Sequence, residues 1–334
     1  MTAAFGADRA RPLGLAIVAL TVAAAVMAPV LGPHAPGDQH SGLLNAPPTL
    51  PHVVSDDGRW HRPFIYKSRL VDRLEQRFEE DRSTRVPLAW FTRGHLVVSS
   101  DEEQMPLLLL GADSFGRDVW SRLLFGARAS LGIAVVAAFG AMVLGAVAGG
   151  LAGYAGGAAD DLLMRGADFI MVLPAMYVVL ALRAVLPLVL APATVFGLLT
   201  AIFAIVGAPF MARGIRGIVR TERGLDYAAA ARALGASDAR IVFRHLLPAA
   251  RGFIGVEMTL LMPAFVVAEA TLSYIGLGFP EPIASWGTML HDASNVRVFV
   301  DFPWLLSPAF AMFAVVLGLN LTLQGRATGV ESVR

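Results

Sequence analysis

The chain has 334 residues, of which 56% are hydrophobic and 16% charged, with a formal net charge of +1 and a mean hydropathy of +0.61. So apolar a composition excludes an ordinary water-exposed globular domain and points to a polytopic membrane protein, and the near-zero charge gives no bulk pull toward nucleic acid. Cysteine is absent and Lys67 is the only lysine, which removes disulfides, thiolate metal sites and cysteine nucleophiles.

A helix needs about 20 apolar residues to cross a bilayer core. Six segments meet or approach that length: Leu13–Gly32, Ser130–Ala152, Leu162–Leu182, Ala193–Met211, Gly252–Tyr274 and Phe302–Leu323. The first follows Arg9 and Arg11 and is longer than a signal-peptide core, so it reads as a retained anchor rather than a cleaved leader.

Between the first and second segments lies a long polar stretch. "PGDQHSGLLNAPPTLPHVVSDDG" is turn-rich, whereas "KSRLVDRLEQRFEEDR" spaces Leu70, Leu74 and Phe78 as a helix would. "VPLAWF" and "HLVVSS" flank "TRG" as a hairpin would, giving an expected small α/β cap. His34, His40, His52 and His61 lie near Asp38, Asp56 and Asp57, but their irregular spacing reads as solvent-exposed loop histidines, not a metal site.

The second segment places Gly145, Gly149, Gly153 and Gly157 at four-residue steps, a face that lets another helix approach closely. In the third, Arg165 stands three residues before Asp168, close enough for a local pair. Glu269, in the fifth, either packs against a partner or lines a wet path.

Eight arginines fall in Met211–Arg251, which the positive-inside rule puts in the cytoplasm together with both termini. Within that loop, "DYAAAARALGASDARIVFRHLLP" reads as a small-faced helix over 226–234, a left-handed cap at Gly235, and a second helix capped by Ser237 that stops before Pro248. Two uses stay open: a helix docking in a groove of another protein, or one lying on anionic lipid with Arg232, Arg240 and Arg244 as its wet face. No P-loop is possible, since Tyr66 precedes the one lysine, and neither a Gly-x-Ser-x-Gly nor a His-Glu-x-x-His pattern occurs.

This loop resembles the cytoplasmic EAA loop of permease subunits from bacterial ATP-binding-cassette importers. Ala230, Ala231, Gly235 and Leu247-Pro248 match its pattern, and His245 takes the branched position. "LGADSFGRDVWSRLLFGARASL", "GYAGGAADDLLMRGADFIMVLP" and "AEATLSYIGLGFPEPIASWGTML" are similar to stretches of the dipeptide, oligopeptide and nickel branch. The resemblance runs from Leu110 to the C-terminus. Ala229 replaces the glutamate that opens the motif, and Asp226, three residues earlier, is the candidate substitute; "LQGRATGV" stands where the family has an acidic pair.

The resemblance implies an all-α polytopic protein of the bacterial plasma (inner) membrane, with six transmembrane helices, a cytoplasmic EAA-type coupling loop within 212–251 and a small α/β extracytoplasmic insertion. The expected layout is 1–32 for the first helix, 33–129 for the outer segment and 130–334 for the permease core. Implied partners are a second permease subunit, ATP-binding-cassette ATPase subunits, an extracytoplasmic solute-binding protein and membrane lipid, with no nucleic acid and no cofactor. ATP hydrolysis would lie on a separate subunit, and peptides are the expected solute. Asp226, Ala229, Ala230, Ala231, Gly235, His245, Leu247 and Pro248 would carry ATPase coupling, with Glu269 a candidate for the translocation path. The rival reading is a stand-alone secondary carrier or membrane-embedded enzyme whose basic loop binds lipid.

Overall fold

A computed structural model describes residues 2–55, 58–174, 177–178, 180–181, 190–294 and 300–331. The chain is mostly helical, with one small sheet. In order come α1 (Thr2–Val26) and α2 (Ala28–Leu31), strands β1 (His52–Val54), β2 (Trp60–Asp72), β3 (Arg77–Thr92) and β4 (His95–Ser99), then α3 (Val119–Ala155), α4 (Gly157–Val172), α5 (Pro192–Glu222), α6 (Asp226–Ala233), α7 (Asp238–Tyr274), α8 (Trp286–Asp292) and α9 (Ser307–Glu331).

Among the described residues four helices are long and apolar enough to cross a membrane: Val119–Ala155, Pro192–Glu222, Asp238–Tyr274 and Pro303–Leu323. Ala10–Val26 is a shorter apolar helix. The expected third segment is represented by α4, which ends at Val172 as the chain reaches Pro174; positions 175–176, 179 and 182 of that segment lie outside the described residues. The chain divides into two compact units, one of Met1–Ala16, Gly132–Glu269 and Val316–Arg334, the other of Ile17–Leu131 and Ala270–Val315.

In the first unit the glycine face of α3 meets α5. A Cβ on Gly145 would stand 2.3 Å from that of Met211, one on Gly149 would stand 2.3 Å from the Ala212 carbonyl oxygen, and one on Gly153 would stand 2.7 Å from that of Arg216. Three of the four stripe glycines are thus there for backbone approach. Gly157 is not: it has left α3 and opens α4 with φ +56°. Phe203 of α5 and Phe265 of α7 stack at 5.4 Å, so α5 is gripped from both sides.

The second unit holds the sheet, antiparallel in the order β1-β2-β3-β4. The hairpin around Thr92-Arg93-Gly94 forms as expected, with Thr92 opposite His95. The helix expected over Leu70–Phe78 does not form: Leu70 pairs with Phe78 across a β2–β3 turn, so the cap is a sheet rather than α/β. Lys67 stands opposite Asp81 and Arg69 opposite Glu79 in that pairing, and Ile65, Val86, Leu88, Met105 and Leu107 build a core beneath it. Cross-strand pairing and burial outweighed a three-residue helical coincidence.

Candidate functional site

The loop between α5 and α7 is built as a kinked hairpin. Helix α6 opens with Asp226 and ends at Ala233, where Ala236 N donates to the Ala231 carbonyl at 3.1 Å and Gly235 N to that of Arg232 at 3.0 Å. Gly235 has φ +78°, the left-handed turn expected of it. Ser237 caps the next helix through its Oγ, which accepts from Arg240 N at 3.4 Å.

That second helix does not stop before Pro248. It runs as an α turn (Asp238–Arg240), a π turn (Ile241–Leu246) and a 3-10 turn (Leu247–Ala250) straight into Arg251–Tyr274. Proline has no N–H for the residue four before it, and a local change of winding absorbs the lost bond without ending the helix.

Of the residues named from sequence, Ala229, Ala230 and Asp226 are exposed, Ala231 and His245 are half-buried, and Ala228 is fully buried against the body of the protein. Gly235 and Pro248 are exposed and Leu247 is half-buried. One side of α6 therefore seats the helix and the other presents methyl groups to solvent, with Leu234 beside them at 88% exposure. Leu234 carried no signal in sequence, because a leucine after an alanine run reads equally well as core.

Polar contacts hold the hairpin in place. Tyr154, near the end of α3, donates its hydroxyl to Asp238, and Arg223 donates to the Tyr154 carbonyl. The Arg232 guanidinium lies 5.7 Å from the centre of the Tyr154 ring. Tyr227 donates to Glu222 Oε2 at 2.6 Å; burial and that carboxylate push its phenol up to about 12. The partners of Tyr154 were not legible from spacing, since Asp238 lies 84 residues away and Arg223 69.

The neighbouring arginines are paired as well. Arg216 grips Asp160 through two nitrogens, one at 2.5 Å, and Arg220 stands 3.9 Å from the same carboxylate. Asp168 pairs with Arg213 rather than with Arg165: α4 packs along α5, so the interhelical partner is the one within reach. Glu269 is wholly buried.

A second polar constellation occupies the other unit. Arg117 donates to Asp113 Oδ2 at 2.7 Å, Glu281 Oε2 at 2.5 Å and Asp292 Oδ2 at 2.7 Å. Arg122 donates to the Pro36 carbonyl at 3.1 Å and stands within 3.5 to 3.8 Å of the same three acids. Burial alone would pull the Arg117 guanidinium down, but Asp113, Glu281 and Asp292 together hold it above its ordinary value. Arg117 and Arg122 are thus neutralised locally. His34, expected in solvent, is buried, with Nδ1 3.4 Å from Asp118 Oδ2 and its ring 5.1 Å from that of His40.

Over residues 141–327 the chain matches the family described as "Binding-protein-dependent transport system inner membrane component". It is 39% identical over 218 residues to the oligopeptide transport system permease protein OppC of Bacillus subtilis, covering 64% of this chain and 68% of that protein. The dipeptide transport system permease protein DppC of the same organism is 36% identical over 215 residues, 64% of this chain and 65% of the relative. The glutathione transport system permease protein GsiD of Pectobacterium atrosepticum is 36% identical over 216 residues, 65% of this chain and 69% of the relative.

Proposed function

From the family of binding-protein-dependent transport system inner membrane components, to which this chain belongs, we infer that it is the permease subunit of an ATP-driven peptide importer. The importer takes solute from an extracytoplasmic binding protein, and hydrolysis falls to separate ATPase subunits. The peptide class rests on the oligopeptide and dipeptide permeases among its relatives. In this reading the chain crosses the inner membrane six times, with both termini and the 212–251 loop in the cytoplasm, and pairs with a second permease subunit.

The exposed alanine face of α6 is the observation that carries the coupling role. A helix seated by Ala228, capped at Gly235 and tethered through Tyr154 and Asp238 offers a groove little side-chain bulk, which favours helix-in-groove docking. Asp226, Ala229, Ala230, Ala231, Gly235, His245, Leu247 and Pro248 are its coupling residues. Closure of the ATPases on nucleotide moves this hairpin and rocks the spans between outward- and inward-open states. With alanine at position 229, shape does this rather than a carboxylate at that position.

Co-expression with ATP-binding-cassette ATPase subunits of a peptide importer tests the reading. The chain is expected to retain them through purification, and vesicles holding the complex are expected to take up peptide only with ATP and binding protein present. Uptake by the chain alone would overturn it in favour of a stand-alone carrier.

A further inference from the structure

The sheet is left without a task by the importer reading, yet it is anchored at both ends. At one end His95 Nδ1 lies 2.7 Å from the carbonyl of Gly32, the residue that closes α2. At the other, Phe78 packs against buried Ala46, Leu108 and Ala112, and the Ala112 carbonyl accepts from Trp304 Nε1 at 3.1 Å. Tied at both ends, the sheet lies along the ends of those segments instead of standing off them.

Large apolar side chains gather at the Gly32 end. Trp60 opens β2, opposite Val54 of β1, and Trp90 and Phe91 come at the close of β3 just before the turn to His95, all beyond the Phe64–Pro87 pair and away from Phe78. Trp60 is 80% exposed, Phe91 81% and Trp90 52%, whereas Phe64 and Tyr66 in the same sheet are buried. Phe91 has φ +52°, a backbone that a bulky residue rarely adopts, so the turn holds its ring out. Arg59 and Arg62 flank Trp60 and are also exposed.

Large rings left in water at one end of a sheet mark an interaction site. The His95–Gly32 tie brings this end beside another apolar surface, since Leu20, Val26, Met27 and Val30 are exposed along the α1–α2 stretch that ends at Gly32. Tryptophan suits the water boundary of a bilayer, where its ring body is apolar and its N–H is wet. Arginines beside it are placed to donate to phosphate.

We propose that this end of the sheet is a membrane-interface anchor, with Trp60, Trp90 and Phe91 lodged among the headgroups and upper acyl chains of the outer leaflet and Arg59 and Arg62 donating to lipid phosphates. The proposal rests on the reading of α1 as the first span, with Gly32 emerging on the outer side.

The full chain is reconstituted into phosphatidylcholine vesicles whose lipids carry bromine either near the headgroup end of the acyl chain or near its tip. The contribution of the two tryptophans is the difference in emission between the native chain and the Trp60→Phe, Trp90→Phe double variant, a change that leaves buried Trp286 untouched. The expected difference spectrum is blue-shifted and loses more intensity to the shallow bromines than to the deep ones. A spectrum quenched by iodide from the water and by neither lipid overturns the proposal, as does iodide protection that appears only on adding the solute-binding protein.

The chain's lack of cysteine separates this failure from failure of the topology. A Cβ at exposed Gly42 meets nothing within 4 Å, so Gly42→Cys reports its side to an impermeant maleimide in intact spheroplasts. Labelling from outside with unquenched tryptophans rejects the anchor alone; labelling only after lysis rejects the orientation beneath it.

Discussion

Two residues separate what a side chain does for docking from what it does for folding. Ala230 is exposed on α6, so Ala230→Trp leaves the fold intact but puts bulk where a groove has none, weakening ATPase association by about 1–3 kcal/mol by analogy with overpacked cores. Co-purification checks it, and neutralising Arg232, Arg240 and Arg244 is expected to matter less; the reverse order would mean that α6 lies on lipid. Arg117 is the opposite case. Its side chain is 3% exposed and neutralises buried Asp113 and largely buried Asp292, so Arg117→Ala leaves those carboxylates to Arg122 alone, at a cost of about 3 kcal/mol, the low end for a broken buried pair. Thermal unfolding in detergent should show the loss, with Arg117→Lys recovering part of it because one ammonium cannot serve three partners in a fixed fork.

At the scale of elements, the glycine stripe and the hairpin cap carry opposite kinds of constraint. Gly149 is forbidden a side chain by a neighbour: its Cβ would stand 2.3 Å from the Ala212 oxygen. Gly149→Leu therefore drives α3 from α5, and the expected outcome is loss of the monodisperse peak on size exclusion. At Gly235 nothing lies within 4 Å of a Cβ, and the constraint is φ +78° alone. Gly235→Val costs about 1–2 kcal/mol of local strain and re-aims the second helix. Assembly is expected to survive while ATP hydrolysis no longer tracks peptide uptake in vesicles.

Four of the six expected spans, among the described residues, and the α6 helix with its glycine cap were legible from sequence because each is fixed by local pattern. The β2–β3 hairpin was not, since Leu70, Leu74 and Phe78 satisfy helical spacing and only pairing with a distant partner reveals strands. The Asp168–Arg213 pair and the Tyr154–Asp238 tether were hidden for the same reason: each joins residues 45 or 84 positions apart, and a single sequence carries no distance. The winding through Pro248 was misread because proline ends a helix only when the freed carbonyl finds no other geometry.

For the whole molecule, the importer reading makes the α6 surface the place where ATPase and permease meet, and its chemistry sets how that joint responds to conditions. Two acids of the hairpin are spent on neighbouring tyrosines, Asp238 on Tyr154 and Glu222 on Tyr227, while α6 offers exposed alanines and the almost bare Leu234. A joint closed by methyl groups gains little from Coulomb attraction and much from expelling water, a driving force that fades on cooling. The assembled transporter is therefore expected to be cold-labile and salt-tolerant. Chilling should release ATPase subunits that added salt leaves bound, with a negative heat-capacity change of association in calorimetry.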